Sequence, residues 1–219
     1  MKKILVTAGS TFMPIDRVRG MTNIFRGGTG ERIMHVAACM GHSVKLLTSD
    51  PESARRAGAY RHVRGERFRT FDDLAELMER EIRTGGYDAV IHSAAVSDYR
   101  VSAIRVGDKI LDPAETGSKI GSGHERLTLE LVPTEKLVDK IRSPWGFTGV
   151  LVKFKLQVDM PDSVLIEIAH QSMLASQADF VVANCLEWER ERAYILSARG
   201  DCIHAQREHL AAELLRMAL

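Results

Sequence analysis

The chain has little cysteine: Cys39, Cys185 and Cys202 are all there is in 219 residues. Their spacing fits neither a metal site nor a disulfide framework. It suits a reducing compartment, so the expected location is the cytoplasm. The chain also lacks an excess of either charge. Thirty basic residues against 29 acidic ones leave a formal net charge of +1. That balance excludes the broad basic face of a nucleic-acid binder and suits a small-molecule enzyme or an oligomer subunit. Long apolar runs are missing too. None reaches the roughly 20 residues of a membrane span, and the run behind Met1-Lys2-Lys3 is too short for a signal peptide. No repeat, low-complexity tract or linker divides the chain. With 45% hydrophobic residues, residues 1–219 are expected to form one domain.

Three nucleotide motifs are absent. A dinucleotide fingerprint needs G-x-G-x-x-G directly between strand and helix, but Gly9 lies far from Gly27, Gly28 and Gly30. A P-loop needs Gly-Lys-Ser/Thr, and Gly30 is followed by Glu31. A short-chain dehydrogenase needs a lysine four residues beyond its tyrosine; Tyr99 has Ala103 there. These absences weigh against a nicotinamide-dependent reductase.

What is present alternates between strands and helices. Residues 3–8, 43–48, 88–93, 149–154 and 179–184 are apolar runs of strand length, and Tyr60–Val63 is a short candidate strand. Residues 29–41, 71–83, 134–141, 163–176 and 207–217 carry helical spacing, with Thr70 as an N-cap. Residues 193–197 and 201–204 suggest a closing hairpin. This order predicts a Rossmann-like, three-layer α/β domain with a mostly parallel sheet. Residues 100–126 are polar and glycine-rich, and are expected to form a flap or a strand-bearing arm; Leu127–Leu131 alternates like a strand. The first loop, Thr7–Asn23, is too long for a plain connection and lies where α/β sheets bind ligands.

Several stretches carry a family resemblance. Val6-Thr7-Ala8-Gly9-Ser10-Thr11, Pro14–Arg19 and Thr22-Asn23 resemble the opening signature of the phosphopantothenate–cysteine ligases. Ala94-Ala95-Val96-Ser97-Asp98-Tyr99 is similar to their second signature. Ser118-Lys119-Ile120 with Leu131–Thr134, then Phe154-Lys155-Leu156 and Ala178–Asn184, resemble later segments in the same order. The likeness is to the standalone form, and no preceding flavin-binding decarboxylase domain is expected. The resemblance implies activation of the carboxylate of 4′-phosphopantothenate by CTP or ATP with Mg²⁺, release of pyrophosphate, and attack by the amine of cysteine. It also implies a homodimer. CTP is the expected nucleotide, magnesium is expected to ride on phosphate oxygens, and no protein metal ligand is expected.

The same resemblance implies the roles. Asn23 would donate to the reacting carbonyl; alternatively it shapes a turn. Arg19 would act in the second half-reaction or brace the loop against Asp16. Lys119 would offset charge on the transferring phosphate or be a solvated flap lysine. Gly9, Ser10, Ser93, Ala94, Ala95, Asp98, Thr134 and Phe154 would cradle the nucleotide, although Asp98 is also a plausible turn cap and Phe154 a plausible core residue. Asn23, Arg26, Gly27, Gly28 and Ala95 would hold phosphopantothenate, with Arg26 on its phosphate.

Three departures stand out. The helix before Asp179 normally carries two lysines; here Gln171 or Ser172, and Ala175 or Ser176, occupy those places, and Cys185 replaces an Asp. Lys153 stands where the family commonly has glycine, and is expected either to compensate at the triphosphate or merely to emerge at the strand's exit. The losses keep a second reading open: a diverged paralogue that binds a nucleotide or a phosphopantetheine-like ligand without ligating it.

Overall fold

A computed structural model describes residues 1–112 and 119–219. Ser118, which carries part of the resemblance, and the stretch 113–118 of the expected arm lie outside the described residues. Strand β1 (Lys3–Ala8) is buried from Ile4 to Ala8. A strand covered on both faces reads as one apolar run, without alternation. The long loop behind it holds a hairpin of β2 (Phe12–Pro14) and β3 (Gly20–Thr22). Strands of three residues carry no readable period, so the sequence did not disclose them.

Helix α1 (Gly28–Cys39) leads to β4 (Ser43–Thr48), α2 (Pro51–Ala57) and β5 (Val63–Arg67). Here the sequence reading needs correction: Tyr60–His62 form a turn, and the strand begins only at Val63. Helix α2 was also missed, although Asp50 caps it by accepting from the N–H groups of Glu52 and Ser53. Seven residues are too few for a helical period to stand out. Helix α3 (Phe71–Thr84) starts at a capping box between Thr70 and Asp73 and buries Leu74, Met78 and Ile82.

Strand β6 (Ala89–His92) precedes an arm of β7 (Tyr99–Val106), β8 (Lys109–Leu111) and β9 (Leu127–Pro133). Then follow α4 (Leu137–Lys140), β10 (Val150–Gln157), α5 (Asp162–Ala175), β11 (Phe180–Cys185), β12 (Arg192–Ser197), β13 (Cys202–Gln206) and α6 (Leu210–Ala218). The main sheet runs β13-β12-β11-β10-β6-β1-β4-β5. Pairing is parallel from β11 through to β5, and β12 and β13 are antiparallel. From β1 the chain winds outward to β4 and β5, then returns to β6 on the other side. The sheet thus reverses direction between β1 and β6, and ligands gather beyond the carboxyl ends of the strands at such a point.

One face of the sheet packs on α1 and α6 through Ile33, Met34, Leu210 and Leu214. The other packs on α3, α4 and α5 through Leu74, Leu137, Leu165 and Met173. Fully buried aliphatic side chains of this kind contribute about 1.5–3 kcal/mol each. No helix among the described residues is long and apolar enough to cross a membrane.

The arm has its own small core of Met13, Val101, Ile104, Val106 and Ile120. Asp16 ties it to the first loop. Its carboxylate accepts from the N–H groups of Val18 and Arg19 at 2.8 Å each and from Ile120 N–H at 3.1 Å. The Arg19 guanidinium donates to it at 2.6 Å and to Ile120 O at 2.9 Å. That guanidinium, more than any other group, holds the Asp16 carboxyl well below the usual carboxylate range, against the upward push of burial. Folding thus favours the charged form. Its contribution is complete above the ordinary value near 3.8 and is lost as pH falls toward the folded value. Asp16→Asn should abolish this acid-sensitive part and accelerate amide exchange at Ile120 and along β7, with α3 unaffected. Unchanged exchange at Ile120 would mean that apolar contacts alone hold the arm.

Candidate active site

A cavity of about 1040 Å³ opens over the carboxyl ends of β1, β6, β10 and β11. Glycine makes its rim possible. Gly27 takes a left-handed conformation with φ of 88°, and a Cβ there would stand 2.4 Å from Gly9 N. A Cβ on Gly30 would meet the Ala8 Cβ and Ser93 Oγ at 2.6 Å. Only glycine lets the start of α1 approach the first and second loops this closely.

Those two loops are stitched together. Ala95 N–H donates to Gly9 O at 2.8 Å, and Thr11 N–H donates to Ala95 O at 3.2 Å. The Asn23 side-chain amide donates to the same Ala95 O at 3.2 Å. Gly9, Asn23, Arg26, Gly27, Gly28, Ser93, Ala94, Ala95, Asp98, Lys153 and Phe154 all line the cavity, so the fold gathers most of the residues singled out from sequence. Phe154 satisfies both of its readings, since it also packs against the α1–α6 core.

Four of those residues stand outside the lining. Ser10 is buried beneath it; its N–H donates to Ser49 Oγ and its hydroxyl to Phe25 O. Thr134 acts on the second loop: its hydroxyl donates to Ser97 O at 2.6 Å and its N–H to Asp98 O at 2.9 Å. Arg19 is engaged by Asp16, which corresponds to the bracing alternative. Lys119 is exposed at the base of the arm.

Lys153 does not emerge freely at the strand's exit. It is 8% exposed, and its ammonium donates to Ser172 O and Ser176 Oγ at 3.0 Å each. Those are two of the four positions weighed for the missing helix lysines. The amine thus arrives at that place from the strand instead of from the helix. Burial lowers its pKa to about 8.

Beside it, in register on β6, lies His92. Its Nδ1 is 2.8 Å from Thr7 Oγ1, and Thr7 Oγ1 also accepts from Ala94 N–H at 3.2 Å. Burial, helped by the Lys153 charge, pushes the imidazole down to about 4.

Sequence reasoning missed His92, Lys136, Lys155, Asn184, Glu189, Arg190 and Arg207, which also border the cavity. Asn184 and His92 sit inside or beside stretches that carried the resemblance and could have been found there. Arg207 could not, because nothing local marks it. The arrangement as a whole is a cleft with backbone amides, several cations and few acids, suited to a polyanionic ligand.

Residues 1–217 match the family described as the DNA/pantothenate metabolism flavoprotein C-terminal domain. The chain belongs to that family. A coenzyme A biosynthesis bifunctional protein CoaBC from Thermococcus kodakarensis is 33% identical over 188 residues, covering 85% of this chain and 42% of the relative. This chain thus spans less than half the length of the curated relative. The crystal structure of the DNA/pantothenate metabolism flavoprotein from Streptococcus pneumoniae is similar at a TM-score of 0.81 and 28% identity, covering 99% of this chain and 98% of the other. A Cab2 mutant in complex with phosphopantothenate-cysteine shares the fold, with a TM-score of 0.74 and 17% identity, covering 99% of this chain and 85% of the other. The Rossmann-like architecture is therefore that of the flavoprotein C-terminal domain family.

The two buried bases give this site a testable signature. Carbon-13 NMR of the lysine Cε signals should show one amine, absent in Lys153→Met, titrating near pH 8. The His92 ring should stay neutral from pH 8 down to about 5, charging only near 4. A Lys153 midpoint near 10.5 would mean the side chain is solvated, contrary to the geometry.

Proposed function

We propose that residues 1–219 act as one ligase domain that joins 4′-phosphopantothenate to cysteine, with CTP in preference to ATP as the activating nucleotide. The observation that carries this reading is the meeting of the two family loops at one point, where Asn23 and Thr11 both donate to Ala95 O over the cavity floor. Family membership and the name of the Thermococcus relative support it.

In the first step a carboxylate oxygen of phosphopantothenate attacks the α-phosphorus of the nucleotide and pyrophosphate leaves. In the second, the amine of cysteine attacks the acyl carbon, loses a proton, and the nucleoside monophosphate leaves. Both steps bring anions or weak electrophiles together, so positioning dominates; effective molarities of about 10⁵–10⁸ M are available from it. The second hydrogen of the Asn23 amide is free to donate to the acyl oxygen as charge develops there. The small residues Ser93–Ala95, whose N–H groups are spent on Thr7 and Gly9, would let the nucleotide approach closely, with the side chain of Asp98 to hold it and Phe154 against its base. Lys119 would meet the transferring phosphate from the arm. Arg26, at the mouth, would take the phosphate of phosphopantothenate.

Magnesium would supply charge neutralisation on the phosphates. It would be carried by the phosphate oxygens of the nucleotide. Exposed Tyr99, Ile110, Leu127 and Leu131 on the arm support a homodimer joined there. Three free thiols support a cytoplasmic setting.

One observation favours the second reading, a nucleotide binder that does not ligate. At the positions of the missing lysines α5 offers only Gln171, Ser172 and Ala175, with Ser176 just beyond, and the Lys153 ammonium already donates twice within the protein. The two readings separate in one assay. Pyrophosphate should appear only when nucleotide and phosphopantothenate are both present, faster with CTP, and the amide product only when cysteine is added. Asn23→Ala should lower amide formation about 10²-fold with an unchanged melting midpoint, since a loop side chain is removed and no core is opened. Nucleotide binding without pyrophosphate would establish the second reading; full turnover in Asn23→Ala would remove that residue from the chemistry.

A further inference from the structure

Arg207 directly follows β13, and its backbone N–H donates to Glu191 O at 2.8 Å. That tether carries the side chain into the cavity, where the guanidinium donates to Thr29 Oγ1 in the first turn of α1. Electrically the place is unfavourable for a cation. A helix N-terminus carries about half a positive charge, and α1 has no side-chain acceptor at its cap. Arg32 adds a like charge nearby. The guanidinium is half-buried, and that burial pulls its pKa down from the usual arginine value. Among the described residues no carboxylate pairs with it. Glu189 acts on it only at longer range, and Glu189 has its own close partner in Arg190.

A brace between α1 and the C-terminal segment would need only one donor. A neutral amide supplies that without the cost of desolvating a charge. A cation that gives up water, faces like charges and has no acid lacks its counter-ion, and the open side of this one is the cavity. One N–H of the guanidinium fork is spent on Thr29; the others remain for a planar, two-point contact of the kind arginine makes with phosphate.

We infer that Arg207 binds a phosphoryl oxygen of the ligand in the part of the cavity bordered by Thr29, and so supplies positive charge that α5 lacks. The demand for an anion stands on the geometry; its identity as the phosphate of a nucleotide or of phosphopantothenate rests on the ligase reading.

Calorimetric titration of the full chain and of Arg207→Gln would use four ligands: CTP, cytidine, 4′-phosphopantothenate and pantothenate. At least one phosphorylated ligand should bind the variant roughly 10- to 100-fold more weakly, with its phosphate-free counterpart unaffected. A loss confined to CTP assigns the nucleotide's phosphates, and a loss confined to phosphopantothenate assigns that ester; either supports the inference. The loss should shrink at high salt, and Arg207→Lys should recover part of the affinity. Should Arg207→Gln fail to fold, Arg207→Lys decides in the same way, because only a phosphate ligand would feel the loss of the planar fork.

Equal weakening of phosphorylated and phosphate-free ligands would reduce Arg207 to a brace and overturn the inference. So would unchanged binding of all four, or a parent chain that binds no phosphorylated ligand. Binding and turnover fail separately: phosphate affinity that depends on Arg207 without pyrophosphate release sinks the ligase reading alone, and turnover with undiminished affinity in the variant sinks this inference alone.

Discussion

The contact between Gly27 and Gly9 is the constraint on which the site depends. A single methyl at Gly27 would come within 2.4 Å of the backbone of the first loop. Because no side chain intervenes, α1 begins directly against the turn after β1, and Gly30 lets it lie against Ala8 and Ser93. The second loop then closes on the first through Ala95, and residues of both loops line one cavity. A larger residue at either glycine would separate the elements and open the cleft before altering any polar group in it.

Charge reaches that cleft from several elements. The lysine that enters from β10 is held by Ser172 and Ser176, and its burial makes the amine easier to deprotonate. His92 is kept neutral beside it. Two residues beyond Lys153 along β10, Lys155 also borders the cavity, and the α1 side adds Arg207 and helix amides. Cations thus flank the cleft on both sides, as a polyanionic ligand requires.

The arm is coupled to this region through one buried carboxylate. Asp16 gathers donors from its own turn and from Ile120, 104 residues away, so the ordering of the first loop and of the arm are parts of one network. Arg19 belongs to that network and completes it by donating to Ile120 O. Arg19, expected either to act in the second half-reaction or to brace the loop, pairs with Asp16 in this conformation.

The central strands, α3 with its Thr70 cap, the closing hairpin and the α/β class were all legible in the sequence, because each depends on local periodicity and end signals that act over a few residues. The three-residue strands β2 and β3 and the seven-residue helix α2 were not, since three residues show no alternation and seven barely complete two helical turns. The two loops at the site were legible through their glycines and their Asn23 and Asp98. The sequence alone thus determined the layered α/β fold and the composition of the first two loops. Only the tertiary structure decided that Lys153 turns inward to α5, that Arg19 serves Asp16, and that Arg207 reaches Thr29 across 178 residues. The physical reason is the same in each case. Periodicity reports which face of an element is apolar, but the partner of a polar side chain is set by sheet order and by where desolvated charges find acceptors, and both are properties of the assembled chain.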